Sequence, residues 1–255
     1  MRAFPDLGTA SRALAARVVG LARGALSTRG RCGIGLSGGS TPEALFGLFS
    51  TELRSSVEWE RLDYFWADER MVPPSDPRSN FGLAQREWLG SLTLPGPQVH
   101  RIRGEAETPE EAAAEYESAL RGYRAEGRGA EAPLFDILLL GIGRDGHTAS
   151  LFPGSPTLSD SSSWALVERH PALEPFVPRI SLGLAALNRS RFVGFLVAGA
   201  EKREALQRVL RTSTDAELPP CGLVHGLEST EWFVDREALG PDDLGPATPS
   251  APSHR

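Results

Sequence analysis

Apolar and polar positions along this chain change period repeatedly, and each change marks an element. Leu14, Val18, Leu21 and Leu26 recur at mostly helical spacing and predict a helix over residues 9–28. CGIGLS (32–37) reads as a short buried strand, followed by the turn GGST and a helix from about Pro42 to Leu53. That helix has two candidate starts: Thr41 as cap with Pro42 at the first helical position, or a Ser40/Glu43 capping box. LDYFWA (62–67) is the next strand and runs into a polar, proline-rich loop, DERMVPPSDPRSN. Ser79 opens a helix to about Leu89, and VHRI (99–102) is a weak strand. Thr108, Pro109 and Glu111 combine a capping box with proline at the first helical position and predict a helix to about Ala125. LFDILLLG (134–141) is apolar on both faces, as strands inside a parallel sheet are. WALVE (164–168), RISLGL (179–184) and FVGFLVAG (192–199) are further strands, EKREALQRVLR (201–211) a helix and WFVD (232–235) a last short strand. The stretch 240–255, GPDDLGPATPSAPSHR, offers little to bury and is expected to be a disordered tail.

Strands alternating with helices predict an α/β fold: a doubly wound, mainly parallel, Rossmann-like sheet with helices on both faces, in a single domain over residues 1–239. Ligands in such sheets bind beyond the carboxyl ends of the strands. The segments after 32–37, 62–67, 134–141 and 192–199 are therefore where chemistry is expected.

Composition narrows the function classes. Hydrophobic residues make up 40% of the 255 and charged residues 24%, ordinary values for a globular protein. A net charge of −6 without a Lys/Arg cluster argues against a nucleic-acid partner. No apolar run reaches about 18 residues, so no membrane partner is expected. The first 20 residues carry dispersed charges rather than a secretory core, and a cytoplasmic location is expected. The two cysteines, Cys32 and Cys221, make no disulfide framework. The five histidines are scattered without HxxxH or HxH spacing and there is no CxxC, so neither a metal nor a cofactor is expected. The oligomeric state is not given by the sequence; a monomer is the expectation.

Three motif matches are decoys or alternatives. Gly33-x-Gly35-x-x-Gly38 and Gly141-x-Gly143-x-x-Gly146 fit the dinucleotide fingerprint. In the first, two glycines fall inside the strand; in the second, no helix follows directly. Gly35-x-Ser37-x-Gly39 fits the nucleophile elbow of serine hydrolases. There the helix should begin at once after the serine, and here Gly38 to Thr41 intervene, but the reading stays open as an alternative.

Four segments carry candidate chemistry. Ser37, Gly38, Gly39, Ser40 and Thr41 form a strand-to-helix loop whose backbone N–H groups suit a phosphate; the alternative is a plain tight turn. Arg70 follows the second strand and either grips an anion or pairs with its neighbours Asp68 and Glu69. Lys202 stands near a helix start, where a cation opposes the helix dipole, so it either meets a bound anion or simply faces solvent; Arg179 precedes a strand and is ambiguous alone. Asp145 and His147, in the glycine-rich loop after 134–141, are the catalytic candidates: histidine exchanges protons near neutral pH, and an aspartate two residues away can orient it.

Taken together, GLSGGSTPEALF, DERMVPPSDPRSN, FDILLLGIGRDGHTASLFPG, PRISLGLAALN and VAGAEKREAL resemble the signature blocks of the 6-phosphogluconolactonase family, in the family's order across residues 33–210. The wider superfamily includes glucosamine-6-phosphate deaminases and ribose-5-phosphate isomerases. Deaminases share the GIGxDGH block but are less similar after it. The resemblance implies hydrolysis of 6-phospho-D-glucono-1,5-lactone in the pentose phosphate pathway. It also implies that residues 37–41, Arg70, Arg179 and Lys202 hold the sugar phosphate and that Asp145 and His147 are catalytic. His147 would activate water, with an oxyanion held by backbone N–H groups near Gly143 and Arg144.

Overall fold

Strand and helix alternate along the chain in the computed structural model, which describes residues 1–94, 96–125, 133–212, 214 and 217–240. The order is β1 (Arg2–Phe4), α1 (Leu7–Arg29), β2 (Cys32–Leu36), α2 (Ser40–Ser50), β3 (Leu62–Trp66), β4 (Asp68–Arg70), α3 (Asn80–Glu87), β5 (Val99–His100) and α4 (Pro109–Ala125). It continues with β6 (Phe135–Leu140), β7 (Ala165–Glu168), β8 (Arg179–Leu182), α5 (Leu184–Leu187), β9 (Ser190–Val197), α6 (Arg203–Arg211), β10 (Ser229–Asp235) and α7 (Arg236–Leu239). Seven strands form one sheet in the order β1-β10-β9-β6-β2-β3-β5, every neighbouring pair parallel. The expected α/β architecture is the one found.

The sheet's centre follows from its sequence. All six residues of β6 are buried, as a strand covered on both sides requires. Its one charge, Asp136, accepts the Gly33 N–H at 2.9 Å and Arg29 Nη2 at 3.0 Å, so it is buried with partners. Helix α1 starts earlier than its periodicity predicts because Asp6 caps it, accepting the Thr9 N–H at 2.7 Å. It ends at Gly30, whose φ of 72° needs a residue without Cβ. The strand glycines of the first fingerprint match have packing reasons. A Cβ on Gly33 would lie 2.6 Å from the Tyr123 hydroxyl, and one on Gly35 2.7 Å from Leu138 Cδ1. Close approach, not a dinucleotide, accounts for them.

Other boundaries differ from expectation. Helix α2 begins at Ser40, and neither predicted cap forms: Gly39, at φ 101°, is the N-cap and no side chain caps it. The left-handed glycine turns the chain straight into the helix, so Ser40 and Thr41 become first-turn residues. Glu201 and Lys202, expected inside the last long helix, belong instead to a separate 3₁₀ turn, Ala200–Lys202, ahead of α6. The segment Asp68–Arg70, expected as loop, is β4 of a second sheet ordered β4-β8-β7, which is antiparallel. The predicted strands 164–168 and 179–184 belong to this sheet. Three charged residues show no alternation, so their strand state comes from pairing with β8. An aromatic cluster of Phe46, Phe49, Trp59, Tyr64 and Trp88 locks α2 and the end of α3 against β3, with ring centroids 4.7–5.8 Å apart. No described helix is long and apolar enough to cross a membrane. The predicted tail lies outside the described residues apart from Gly240.

Candidate active site

A cleft of about 180 Å³ opens where the chain leaves β2, β3, β6 and β9. Segment 37–41 lines it together with Arg70, His147, Arg179 and Lys202. The last four also border a wider, adjoining vestibule of about 480 Å³. The structure therefore gathers the predicted site residues into one place, with Asp145 standing behind His147.

The loop after β6 is folded by its own hydrogen bonds. Gly143 N–H donates to the His147 carbonyl at 2.8 Å, Gly146 N–H to the Gly143 carbonyl at 3.0 Å, and Thr148 Oγ1 to the Gly141 carbonyl at 2.9 Å. Gly146 takes φ 87° to make the turn. His147 Nδ1 then lies 2.7 Å from Asp145 Oδ1, which also accepts the His147 backbone N–H at 3.1 Å. Burial pushes the Asp145 carboxyl up, but the hydrogen bond and charge of His147 outweigh it and hold it below the usual carboxylate range. An ionised Asp145 assigns the proton to Nδ1 and leaves the Nε2 lone pair for chemistry. The His147 ring packs on Phe152, centroids 4.5 Å apart.

Gly143 matters for a reason that the fingerprint match hides. A Cβ there would lie 2.0 Å from His147 Nδ1 and 2.7 Å from Asp145 Oδ1. Gly143→Ala should displace the pair and lower kcat by about tenfold or more, with KM and melting temperature much less affected. Steady-state kinetics beside a thermal melt check this; unchanged kcat would show that the pair tolerates displacement. The Gly143 N–H is engaged by the His147 carbonyl. That bond commits it within the loop, whereas the sequence expectation turns it towards an oxyanion.

Three cations, Arg70, Arg179 and Lys202, also line the cleft. Arg70 and Arg179 sit directly across from each other in the β4/β8 register. Like charges so placed repel, and an anion between them relieves the repulsion. Arg179 is 2% exposed, its Nη2 donating to the carbonyls of Leu173 and Pro175 at 2.9 and 3.2 Å. Burial pulls its pKa down, against the pull of the Asp68 carboxylate upward. Its Nε, like that of Arg70, finds no hydrogen-bond partner among the described residues. Lys202 has no carboxylate partner among them.

The choice left open for Arg70, anion or neighbouring acid, is narrowed by where those acids go. Glu69 accepts from the backbone N–H groups of Arg70, Asn80 and Phe81 at 2.8 Å each and from Ser79 Oγ at 2.9 Å, capping α3. Burial nonetheless raises its pKa. Asp68 accepts from Asn80 and Ser150. Neither side chain bonds to the Arg70 guanidinium, whose Nη1 donates to the Arg78 carbonyl at 2.6 Å. Asp68 and Asn80 also line the cleft and were not singled out by sequence. The DER triplet was the available signal, but it pointed only at Arg70.

Segment 37–41 has the form of an anion loop. A Cβ on Gly38 would fall 1.8 Å from Asn80 Oδ1, and Gly39 places the first-turn N–H groups of α2 at the cleft. Ser37 Oγ is buried without a partner among the described residues. Ser37 is not at a strained elbow: among those residues, Ala149 is the one non-glycine with a left-handed φ, 49°. No group of three or more His, Cys, Asp or Glu among the described residues is arranged to hold a metal.

Known proteins place this geometry in a lineage. The family described as glucosamine-6-phosphate isomerases/6-phosphogluconolactonase matches residues 5–232. A 6-phosphogluconolactonase of Treponema pallidum is 39% identical over 78% of this chain and 80% of its own. One from Synechocystis is 35% identical over 84% of this chain and 86% of its own. The crystal structure of 6-phosphogluconolactonase from Thermotoga maritima superimposes with a TM-score of 0.79 at 28% identity, covering 92% of this chain and 98% of that one. A monomeric glucosamine-6-phosphate deaminase, at 19% identity and a TM-score of 0.74, shares the fold. With a family match over most of its length and relatives above one-third identity, the chain belongs to the glucosamine-6-phosphate isomerase/6-phosphogluconolactonase family.

Proposed function

We propose that this protein hydrolyses 6-phospho-D-glucono-1,5-lactone to 6-phospho-D-gluconate, the lactone step of the oxidative pentose phosphate pathway, in the cytoplasm. The observation that carries the reading is the facing pair Arg70 and Arg179 in the same cleft as a histidine hydrogen-bonded to an ionised aspartate. Relatives named 6-phosphogluconolactonase support the choice of substrate.

The substrate's phosphate sits against segment 37–41, with its backbone N–H groups, and the cations Arg70, Arg179 and Lys202. Anchored there, it brings the lactone carbonyl to His147, so that phosphate binding energy is used for orientation. His147 Nε2 takes a proton from water as the oxygen bonds to C1. The negative charge on the carbonyl oxygen is met by loop N–H groups, with Arg144 the remaining donor of the expected two. The tetrahedral intermediate collapses, the bond from C1 to the ring oxygen breaks, and the imidazolium returns its proton to that oxygen. Asp145 remains ionised and holds Nδ1–H throughout. Every group used comes from this one chain, and no cofactor is required.

The direct test is hydrolysis of freshly generated 6-phosphogluconolactone, corrected for spontaneous opening, beside an assay for ammonia release from glucosamine 6-phosphate. Lactone opening no faster than the blank, or deamination as the faster reaction, overturns the reading. Ser37→Ala separates the serine-hydrolase alternative. With Ser37 only a loop residue, activity should stay within about tenfold of wild type, one neutral hydrogen bond's worth at most. Abolished turnover together with fluorophosphonate labelling of Ser37 would make it the nucleophile.

A further inference from the structure

The cleft contains a buried carboxylate that the reaction above does not use. Asp68 is 5% exposed and faces the same space as Arg70, because residues two apart on β4 project to one side while Glu69 projects to the other. A fixed negative charge beside an anion site weakens anion binding, so its presence calls for another reason.

Its hydrogen bonds supply one. Asp68 Oδ2 accepts Ser150 Oγ at 2.6 Å, and Oδ1 accepts Asn80 Nδ2 at 3.1 Å. The same Asn80 Nδ2 donates to the Asp68 carbonyl at 2.9 Å. On one side, the Asn80 side chain packs so closely on Gly38 that no other residue fits there. On the other, Ser150 is three residues beyond His147, and its N–H donates to Ser181 Oγ at 3.0 Å. Between them stands Ala149 at φ 49°, a conformation that a residue with a Cβ keeps only when its surroundings hold it.

We propose that Asp68 is a positioning residue: through Asn80 and Ser150 it fixes the span between the anion loop and His147, and so the register of a phosphate-anchored lactone against its base. This rests on the reading of the cleft given above. In the substrate, the C1 carbonyl and C5, which carries the phosphorylated C6, flank the ring oxygen, so the ligand dictates the distance from phosphate to carbonyl and the protein must match it. An error of about 1 Å in such a placement can cost about 100-fold in rate.

Two substitutions separate span from charge. Asp68→Ala cuts both links, whereas Asp68→Asn removes the charge but retains an acceptor for Asn80 and offers a donor to Ser150 Oγ. On 6-phosphogluconolactone, Asp68→Ala should lower kcat by about 10–100-fold, and Asp68→Asn should recover most of that loss. Competitive inhibition by inorganic phosphate should be unchanged or tighter in both, since each removes a negative charge from a cationic cleft. Ser150→Ala, cutting a single link, should lower kcat by about fivefold, and adding it to Asp68→Ala should cost nothing more. An Asp68→Asn enzyme as slow as Asp68→Ala would assign the effect to the charge and overturn the proposal. Phosphate inhibition weakened in parallel with kcat would mean that the anion site itself had collapsed, and would overturn it too. An Asp68→Ala rate within about threefold of wild type, beside a crippled His147→Ala, sinks the span alone. A fully active His147→Ala sinks both the span and the reading of the cleft.

Discussion

His147→Ala should lower kcat on 6-phosphogluconolactone by about 10²–10⁴-fold, the usual size of a general acid–base contribution, while KM changes little. The ring is held at both ends of its function. Nδ1 is committed to Asp145 at 2.7 Å, one ring face lies on Phe152, and the side chain keeps 18% of its exposure towards the cleft. Removing it leaves Asp145 partly solvated rather than stranded, so the variant should fold. Asp145→Asn should approach the same loss by another route. Its amide would donate to Nδ1, place the ring proton on Nε2, and leave no lone pair to receive a proton from water. Because Asp145 is held below the ordinary carboxylate range, its protonation should not shape the rate at neutral pH. The linked stability effect has the matching sign. A depressed carboxyl stabilises the fold above its unfolded pKa, and that contribution is lost as pH falls through the lower folded value. His147→Ala removes the partner that causes the depression. The stability gap between wild type and His147→Ala should therefore be wider at pH 7 than in strong acid, where only the loss of ring packing on Phe152 remains. Activity within about threefold of wild type would remove His147 from the mechanism.

The elements legible in the sequence are those whose own residues decide their state. The run FDILLL reads as a buried parallel strand because nothing in it is suited to solvent except Asp136, and it is one. Helix α4 was legible from its cap, and Thr108 Oγ1 does accept the Glu111 N–H, at 3.2 Å. The short strands β1 and β4, three residues each, were not, since their state is set by distant partners. With β4 went the antiparallel sheet, and with it the fact that Arg70 and Arg179 face each other although they are 109 positions apart in the chain. Asp145 and His147 were legible as a pair because they are neighbours in one loop. Asp68, Asn80 and Ser150 were not, because their link exists only through space. Gly143 shows the same limit: a fingerprint match flagged the residue, but its role in clearing room for the His147 ring is visible only in three dimensions.

The phosphate anchor makes the second large prediction, and the choice of residue matters. Arg179 is unsuitable because its Nη2 also holds the carbonyls of Leu173 and Pro175, so its loss would disturb the chain as well as the ligand. Arg70 and Lys202 are better probes. Arg70 makes one bond to the Arg78 carbonyl, and Lys202 lines the cleft without a carboxylate partner among the described residues. A charge-assisted hydrogen bond contributes about 1.5–3 kcal/mol. Arg70→Ala and Lys202→Ala should therefore each reduce kcat/KM on the phosphorylated lactone by about 10–150-fold, at about 1.4 kcal/mol per tenfold. On unphosphorylated gluconolactone, which has no phosphate to anchor, the same changes should matter far less. Removing Arg70 also relieves its repulsion with Arg179, which offsets part of the fold's loss and keeps the variant measurable. Arg70→Lys should restore only part of the rate, because lysine lacks the planar two-pronged donor. The measurement is kcat/KM for each variant on both lactones. Equal losses on the two substrates would mean that these cations support the loop rather than the phosphate, and the anchor assignment would fall.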